Sequence, residues 1–270
     1  MPPVPFWGWK NVVAFSGGRT SAYMLHLLLE RHGDTLRKDW SVLFCNTGKE
    51  MNETLDFVQE VETRWKVPVV WLEYTRVGAS EIDELIYPHS KSRKTIRDER
   101  EKGLKSHWFR VVDYATARRN NDGQAGPFDE MLSWAGVLPN VVTRSCSVQM
   151  KIRTMMRYLF SIGVTQWRDH IGIRADERHR TLEILANAPG YTKPQFPLCE
   201  AGVTEGDVMQ FWSDGRQGFD LGLKQYEGNC DLCFLKAVWK RKKIMLEQPE
   251  SSAWWVDKEA EFAARGTVTG

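Results

Sequence analysis

Apolar residues along this chain alternate between two rhythms. Predominantly apolar runs at residues 12–15, 41–46 and 69–74 read as buried strands, the last of them β-branched and aromatic. Between the runs, apolar positions recur at helical spacing. Met24, Leu25, Leu28 and Leu29 mark one buried face, and Leu55, Val58, Val61 and Trp65 mark another. Asn52 is placed to cap that second helix, with Glu53 in its electropositive first turn. Strands separated by single helices imply right-handed crossovers and a parallel sheet, which binds ligands at its carboxyl edge. The rhythm fails from residue 75 to 140. It resumes with a helix over 151–160, where Ile152, Met155, Met156 and Leu159 are expected inward, and a core strand over 167–173. The expected organisation is an α/β core in two parts, 1–74 and 141–200, with an insertion at 75–140 and a helical segment at 201–270.

Composition narrows the class. A chain of 270 residues can bury a full α/β core with an appended subdomain. The first residues, Met1-Pro2-Pro3-Val4-Pro5, lack a basic region followed by an apolar one, and no run approaches the length of a membrane span. A cytoplasmic protein without membrane association is expected. The net charge of +2 is too small to argue for nucleic acid by itself, so any such argument needs local clustering.

Between the first strand and the first helix stands Ser16-Gly17-Gly18-Arg19-Thr20-Ser21. Glycines there let backbone N–H groups approach an anion, the hydroxyls of Ser16, Thr20 and Ser21 add donors, and the helix N-terminus adds positive potential. An ordinary glycine turn is the bland alternative. The spacing matches neither the Walker loop nor the dinucleotide fingerprint. Asn46, Thr47 and Gly48 fall at the carboxyl end of the second strand, on the same sheet edge. Past the strand at 167–173, Arg174, Asp176, Glu177, Arg178 and Arg180 crowd together, either to grip phosphates or as a surface ion-pair network.

The irregular region gathers base and aromatic together. Lys91, Arg93, Lys94, Arg97, Arg100, Lys102, Lys105, Arg110, Arg118 and Arg119 interleave with Trp108, Phe109 and Tyr114, which suits a nucleic-acid strand contacting residues 88–119. Asp98, Glu99 and Glu101 within the same run fit a plain solvated helix face equally well. A polar stretch at 120–126 follows.

Five cysteines do not make a disulfide framework in an intracellular chain. Cys230 and Cys233 form a C-x-x-C ahead of a segment bearing Lys240, Arg241, Lys242 and Lys243, with Cys146 and Cys199 as the partners to complete four thiolates. Such a set suits tetrahedral zinc or a [4Fe–4S] cluster, and a C-x-x-C also suits a redox pair. Cys45, in a strand end, reads as a buried inert thiol.

The loop at 16–21 resembles the SGGxxS loop of the PP-loop ATP pyrophosphatase superfamily, and the chain looks like its phosphoadenosine-phosphosulfate (PAPS) reductase branch. Further resemblances are Phe44-Cys45-Asn46-Thr47-Gly48-Lys49-Glu50, then Arg144-Ser145-Cys146 with Lys151, then Gly172-Ile173-Arg174-Ala175-Asp176-Glu177 leading to Arg180. The resemblance implies a Rossmann-type PP-loop core, with ATP pyrophosphate on residues 16–21. It implies Lys151 close to the nucleotide, and Arg174, Glu177 and Arg180 at the nucleotide or substrate phosphates. It also favours the [4Fe–4S] cluster over Zn2+. One departure is decisive for chemistry: true PAPS reductases carry a nucleophilic cysteine near the carboxy-terminus, and this chain has none after Cys233. What the resemblance then implies is an adenylating ATP pyrophosphatase using Mg2+ in sulfur transfer. A nucleic-acid acceptor and a cysteine desulfurase or other sulfur donor are its expected partners. The alternatives are a sulfonucleotide reductase whose thiol comes in trans, and a nucleotide-binding module without turnover.

Overall fold

The computed structural model describes residues 8–122 and 126–266; the proline-bearing start at 1–5 and part of the polar stretch at 120–126 lie outside the described residues. Strand β1 (Lys10–Ala14) leads through the loop into α1 (Arg19–Asp39), which kinks at Gly33. Strand β2 (Ser41–Asn46), α2 (Asn52–Arg64) and β3 (Val69–Gly78) repeat the unit. Helix α3 (Ser90–Glu101), strand β4 (Lys105–Val112), α4 (Tyr114–Asp122) and α5 (Pro127–Ala135) follow. The second half runs α6 (Arg153–Ser161), β5 (Trp167–Ile171), α7 (His179–Ala186), β6 (Thr192–Gln195), α8 (Pro197–Glu200) and α9 (Glu205–Ser213). Helices α10 (Val238–Glu247) and α11 (Pro249–Ala264) close the chain.

The six strands form one sheet in the order β4-β3-β2-β1-β5-β6. All neighbours are parallel except β3 and β4, which pair antiparallel with Tyr74 opposite Phe109. A strand flanked by helices on both sides must be apolar on both, which is why Val12 and Val13 are both buried. Val13, Phe44 and Trp71 pack with Leu25 of α1 and Val58 of α2, while Val12, Leu43 and Leu72 pack with Leu159 and Phe160 of α6. The chain therefore has the α/β, mostly parallel architecture expected of a PP-loop Rossmann-type core.

Several local expectations give way to tertiary context. Strand β3 does not stop at Tyr74 but continues to Gly78, because β4 pairs along its whole length. The region expected as an insertion thus supplies an edge strand of the sheet. Met51, not Asn52, precedes the first turn of α2, and Asn52 instead accepts a bond from Asn121. Ile152, expected inward, is 61% exposed. A wide π-type turn at Val148–Ile152 shifts the helical phase ahead of α6, so the inward positions become Thr154, Arg157, Leu159 and Phe160. No helix among the described residues is long and apolar enough to cross a membrane.

Candidate active site

The loop after β1 and the turn after β5 meet at the carboxyl edge of the sheet, where a cleft of about 640 Å³ opens. Its floor is apolar: Ala14, Leu43, Cys45 and Ile171 from the strand ends, with Met155 of α6. Its polar wall comes from Ser16, Gly18, Arg19, Thr20 and Ser21 on one side and from Lys151, Arg174, Glu177 and Arg180 on the other. These expected residues are therefore brought together from three separate parts of the chain.

The loop is braced internally. The Ser21 hydroxyl accepts from the Ser16 amide at 3.2 Å and donates to the Gly18 carbonyl at 3.0 Å, and the Ser16 hydroxyl donates to Ser21. Gly17 has φ +77°, and a Cβ there would lie 2.8 Å from Thr54 Cγ2 and 3.0 Å from Val58 Cγ2 and Phe44 Cε2. Gly17 thus faces the core rather than the cleft. Gly18 is the glycine that lines the cleft, against the side chain of Asn229.

Arg19 does not reach for a free anion. Its guanidinium is engaged by Asp220, with Nε to Oδ1 at 2.7 Å, and also donates to the Leu223 carbonyl at 3.2 Å. The Trp212 indole donates to the Arg19 carbonyl at 3.1 Å. Residues from α9 onward are in this way strapped across the loop. Sequence reasoning missed Asp220, Trp212 and Asn229, because nothing local to residues 205–229 points at a loop two hundred positions earlier.

The segment after β2 serves the scaffold. Asn46 is fully buried; it donates to Glu73 at 2.7 Å and accepts from the Gly48 amide at 3.0 Å. Thr47, 1% exposed, donates through both its amide and its hydroxyl to Glu50 at 2.8 Å. Asn46, Thr47 and Gly48, expected to bind the cofactor, are not among the residues lining the cleft. Their polar groups are spent on holding Glu50 and Glu73. Burial raises the Glu73 carboxyl, and Asn46, Arg110 and Asn120 offset part of that rise by donating to it.

Glu50 in turn holds Lys151. Its Oε1 lies 3.3 Å from the Lys151 ammonium, Glu50 is 2% exposed, and the Lys151 side chain is 30% exposed. Burial works against the ammonium, but the Glu50 carboxylate beside it outweighs that effect and its pKa is raised. Lys151 therefore presents a fixed positive charge to the cleft at any physiological pH. Arg174 is bound to Asp176 at 3.0 Å, reaches Glu177 at 3.6 Å, and donates to the Thr20 hydroxyl at 3.5 Å, tying the turn after β5 to the loop after β1. Arg180 pairs with Glu177 at 2.6 Å. Both guanidiniums are thus partly neutralised, as the ion-pair alternative anticipated, while still lining the cleft.

The thiols divide differently from the expected set of four. Burial raises the thiols of Cys146 and Cys230, and Cys230 Sγ lies 3.9 Å from Glu50 Oε1. Cys199 rides on α8, which packs against α1 and the turn at Ala175–Glu177. Among the described residues no group of three or more His, Cys, Asp or Glu side chains is placed to hold a metal ion. Burial pushes the Cys45 thiol up to about 12, in line with an inert sulfur.

The basic residues of 88–119 are largely committed. Arg93 donates to the carbonyls of Tyr87 and Pro88, and Arg100 to those of Ala79 and Ile82. Lys94 pairs with Asp98, Arg97 with Glu84, Arg110 with Glu73 and Arg118 with Asp56.

Residues 10–110 match the phosphoadenosine phosphosulfate reductase domain, a stretch that includes the loop after β1 and the segment after β2. The chain belongs to the PAPS reductase-like branch of the PP-loop ATP pyrophosphatase superfamily. It is also similar to the uncharacterized nin region protein ORF290 of Escherichia phage lambda, at 30% identity over 233 residues, covering 85% of this chain and 67% of the phage protein. Lys151, Arg174 and the strap of this PP-loop protein lie beyond the matched domain, so their place in the cleft rests on geometry.

Proposed function

We propose that the chain is an ATP pyrophosphatase that adenylates a substrate oxygen for sulfur transfer, with nucleic acid as the acceptor class. The observation that carries this reading is the cleft itself, where a PP-loop and two cations from distant parts of the chain, Lys151 and Arg174, line one space. An apolar floor of Leu43, Ile171 and Met155 suits a nucleobase, and the loop with its helix N-terminus suits the phosphates. A substrate oxygen attacks the α-phosphorus, the bond to the bridging oxygen breaks, and pyrophosphate leaves with the electron pair. Lys151 and Arg174 spread the negative charge that develops. Mg2+ arriving with the nucleotide supplies further charge neutralisation. The outer sulfur of a separate donor's persulfide, such as that of a cysteine desulfurase, then attacks the substrate atom bearing the adenylated oxygen; the bond from that atom to the oxygen breaks, AMP leaves carrying the oxygen, and an external dithiol reduces the resulting disulfide to free the thiolated product. No step requires the cysteines of this chain.

The acceptor reading rests on Lys91, Lys102 and Lys105, which are exposed and form no ion pair among the described residues. Release of labelled pyrophosphate from ATP, stimulated by RNA or DNA, is the expected result. No release under either condition overturns the proposal. Release of sulfite from PAPS in the presence of a dithiol would favour the reductase reading, which the domain match alone supports.

A further inference from the structure

The stretch Glu227, Gly228 and Asn229 lines the cleft but lies outside the matched domain and outside every site residue read from the sequence. Asn229 is its most connected member. Its side-chain amide donates to the Ser16 carbonyl at 2.7 Å, and its main-chain carbonyl accepts from the Met51 amide at 2.6 Å. The same side chain covers Gly18 so closely that a Cβ there would lie 3.0 Å from Nδ2 and 3.1 Å from Oδ1. One residue thus bonds to the loop after β1, packs on its second glycine, and is anchored to the segment after β2.

The Ser16 carbonyl and the Gly17 N–H belong to a single rigid peptide plane and point in opposite directions. Whatever fixes one fixes the other. Gly17 sits at φ +77°, in a region where glycine imposes little barrier to turning that plane. A donor placed on the Ser16 carbonyl from outside the loop is therefore a means of choosing the direction of a loop amide.

We infer that Asn229 is a positioning residue for the phosphate loop, holding the Ser16–Gly17 peptide in one orientation and so governing affinity for the pyrophosphate end of a nucleotide rather than for its nucleoside. This rests on the nucleotide reading above. The neutral amide matters chemically: a carboxylate of the same shape donates nothing to the Ser16 carbonyl and sets a negative charge against Gly18.

The test compares Asn229→Asp and Asn229→Gln with the unaltered full chain by calorimetric titration of ATP, inorganic pyrophosphate and AMP, alongside thermal melting. Asn229→Asp is expected to weaken ATP and pyrophosphate by about tenfold or more and AMP by less than about twofold, at an unchanged melting temperature. Asn229→Gln, which keeps the donor, is expected to restore part of the loss. Equal weakening of all three ligands together with a lower melting temperature overturns the inference, since Asn229 would then only staple the fold. So does unchanged affinity for ATP and pyrophosphate in Asn229→Asp. Should the unaltered chain bind neither ATP nor pyrophosphate, the nucleotide reading falls and this one with it.

Discussion

Replacing Gly17 with alanine separates two roles that a glycine in a phosphate loop can have. From sequence alone, a side chain there is expected to bar phosphates while leaving the fold intact. The structure points elsewhere: the added Cβ would meet Thr54 Cγ2 at 2.8 Å and two further core atoms at 3.0 Å, from a backbone at φ +77°. Thr54 and Val58 lie on α2 and Phe44 on β2, all buried, so none is the loose end of a flexible side chain. A non-glycine residue in the left-handed region costs about 1–2 kcal/mol, and crowding a packed core adds about 1–3 kcal/mol. Gly17→Ala is accordingly expected to lose about 2–5 kcal/mol of unfolding free energy, a large part of the margin of an ordinary domain. Gly18→Ala makes the contrast. Its φ is −99° and its new Cβ meets only the Asn229 amide, so the fold is expected to change by less than about 1 kcal/mol while nucleotide affinity falls. Urea unfolding followed by tryptophan fluorescence measures both variants. A Gly17→Ala protein as stable as the unaltered chain, yet unable to bind ATP, would refute the packing argument.

Removing Lys151 strands the Glu50 carboxylate, so Lys151→Met is expected to cost about 1–3 kcal/mol, reduced from a fully buried pair because the lysine is 30% exposed. Combining it with Glu50→Gln should recover part of the loss in a double-mutant cycle, and strict additivity would show that the pair is not coupled. Asp169 has an Oδ1 without a partner, and burial raises its carboxyl to about 7. The folded state therefore keeps a proton that the unfolded chain gives up near its ordinary value, and stability is lost as pH rises from about 4 to about 7. Asp169→Asn should be more stable than the unaltered chain at pH 8, by at most about 4 kcal/mol of unfolding free energy, and no more stable at pH 4; an equal difference at both pH values contradicts this. Arg93→Ala should leave the salt slope of nucleic-acid binding unchanged because its guanidinium holds main-chain carbonyls, whereas removing Lys91, Lys102 and Lys105 together should flatten it. Cys199→Ser should leave unaltered any metal found in anaerobically purified protein, and metal analysis showing its loss would place Cys199 among the ligands after all.

The central strands were legible because their signal is local. Val42 to Cys45 are apolar without interruption and form the centre of β2, as a strand covered on both faces requires. Phosphate-loop character was equally visible in Ser16 to Ser21. Features decided by long-range pairing were not. The end of β3 depends on β4, whose residues, basic, aromatic and apolar without a period of two, fall in the stretch where the rhythm fails. Ile152 was misplaced because one widened turn rotates everything that follows it. Asn46 and Thr47 lie at the right sheet edge, but position says nothing about direction, and theirs is inward. The guanidiniums of Arg93 and Arg100 end on carbonyls, an outcome that charge counting cannot see.

The strap that crosses the phosphate loop comes from residues 212–229, more than two-thirds of the way along the chain. During synthesis, β1, the loop and α1 leave the ribosome long before Asp220 and Asn229 are translated. A nascent chain therefore carries the cradle without its clasp until the late segment docks, and the loop gains its outside braces only once the two ends of the chain have found each other.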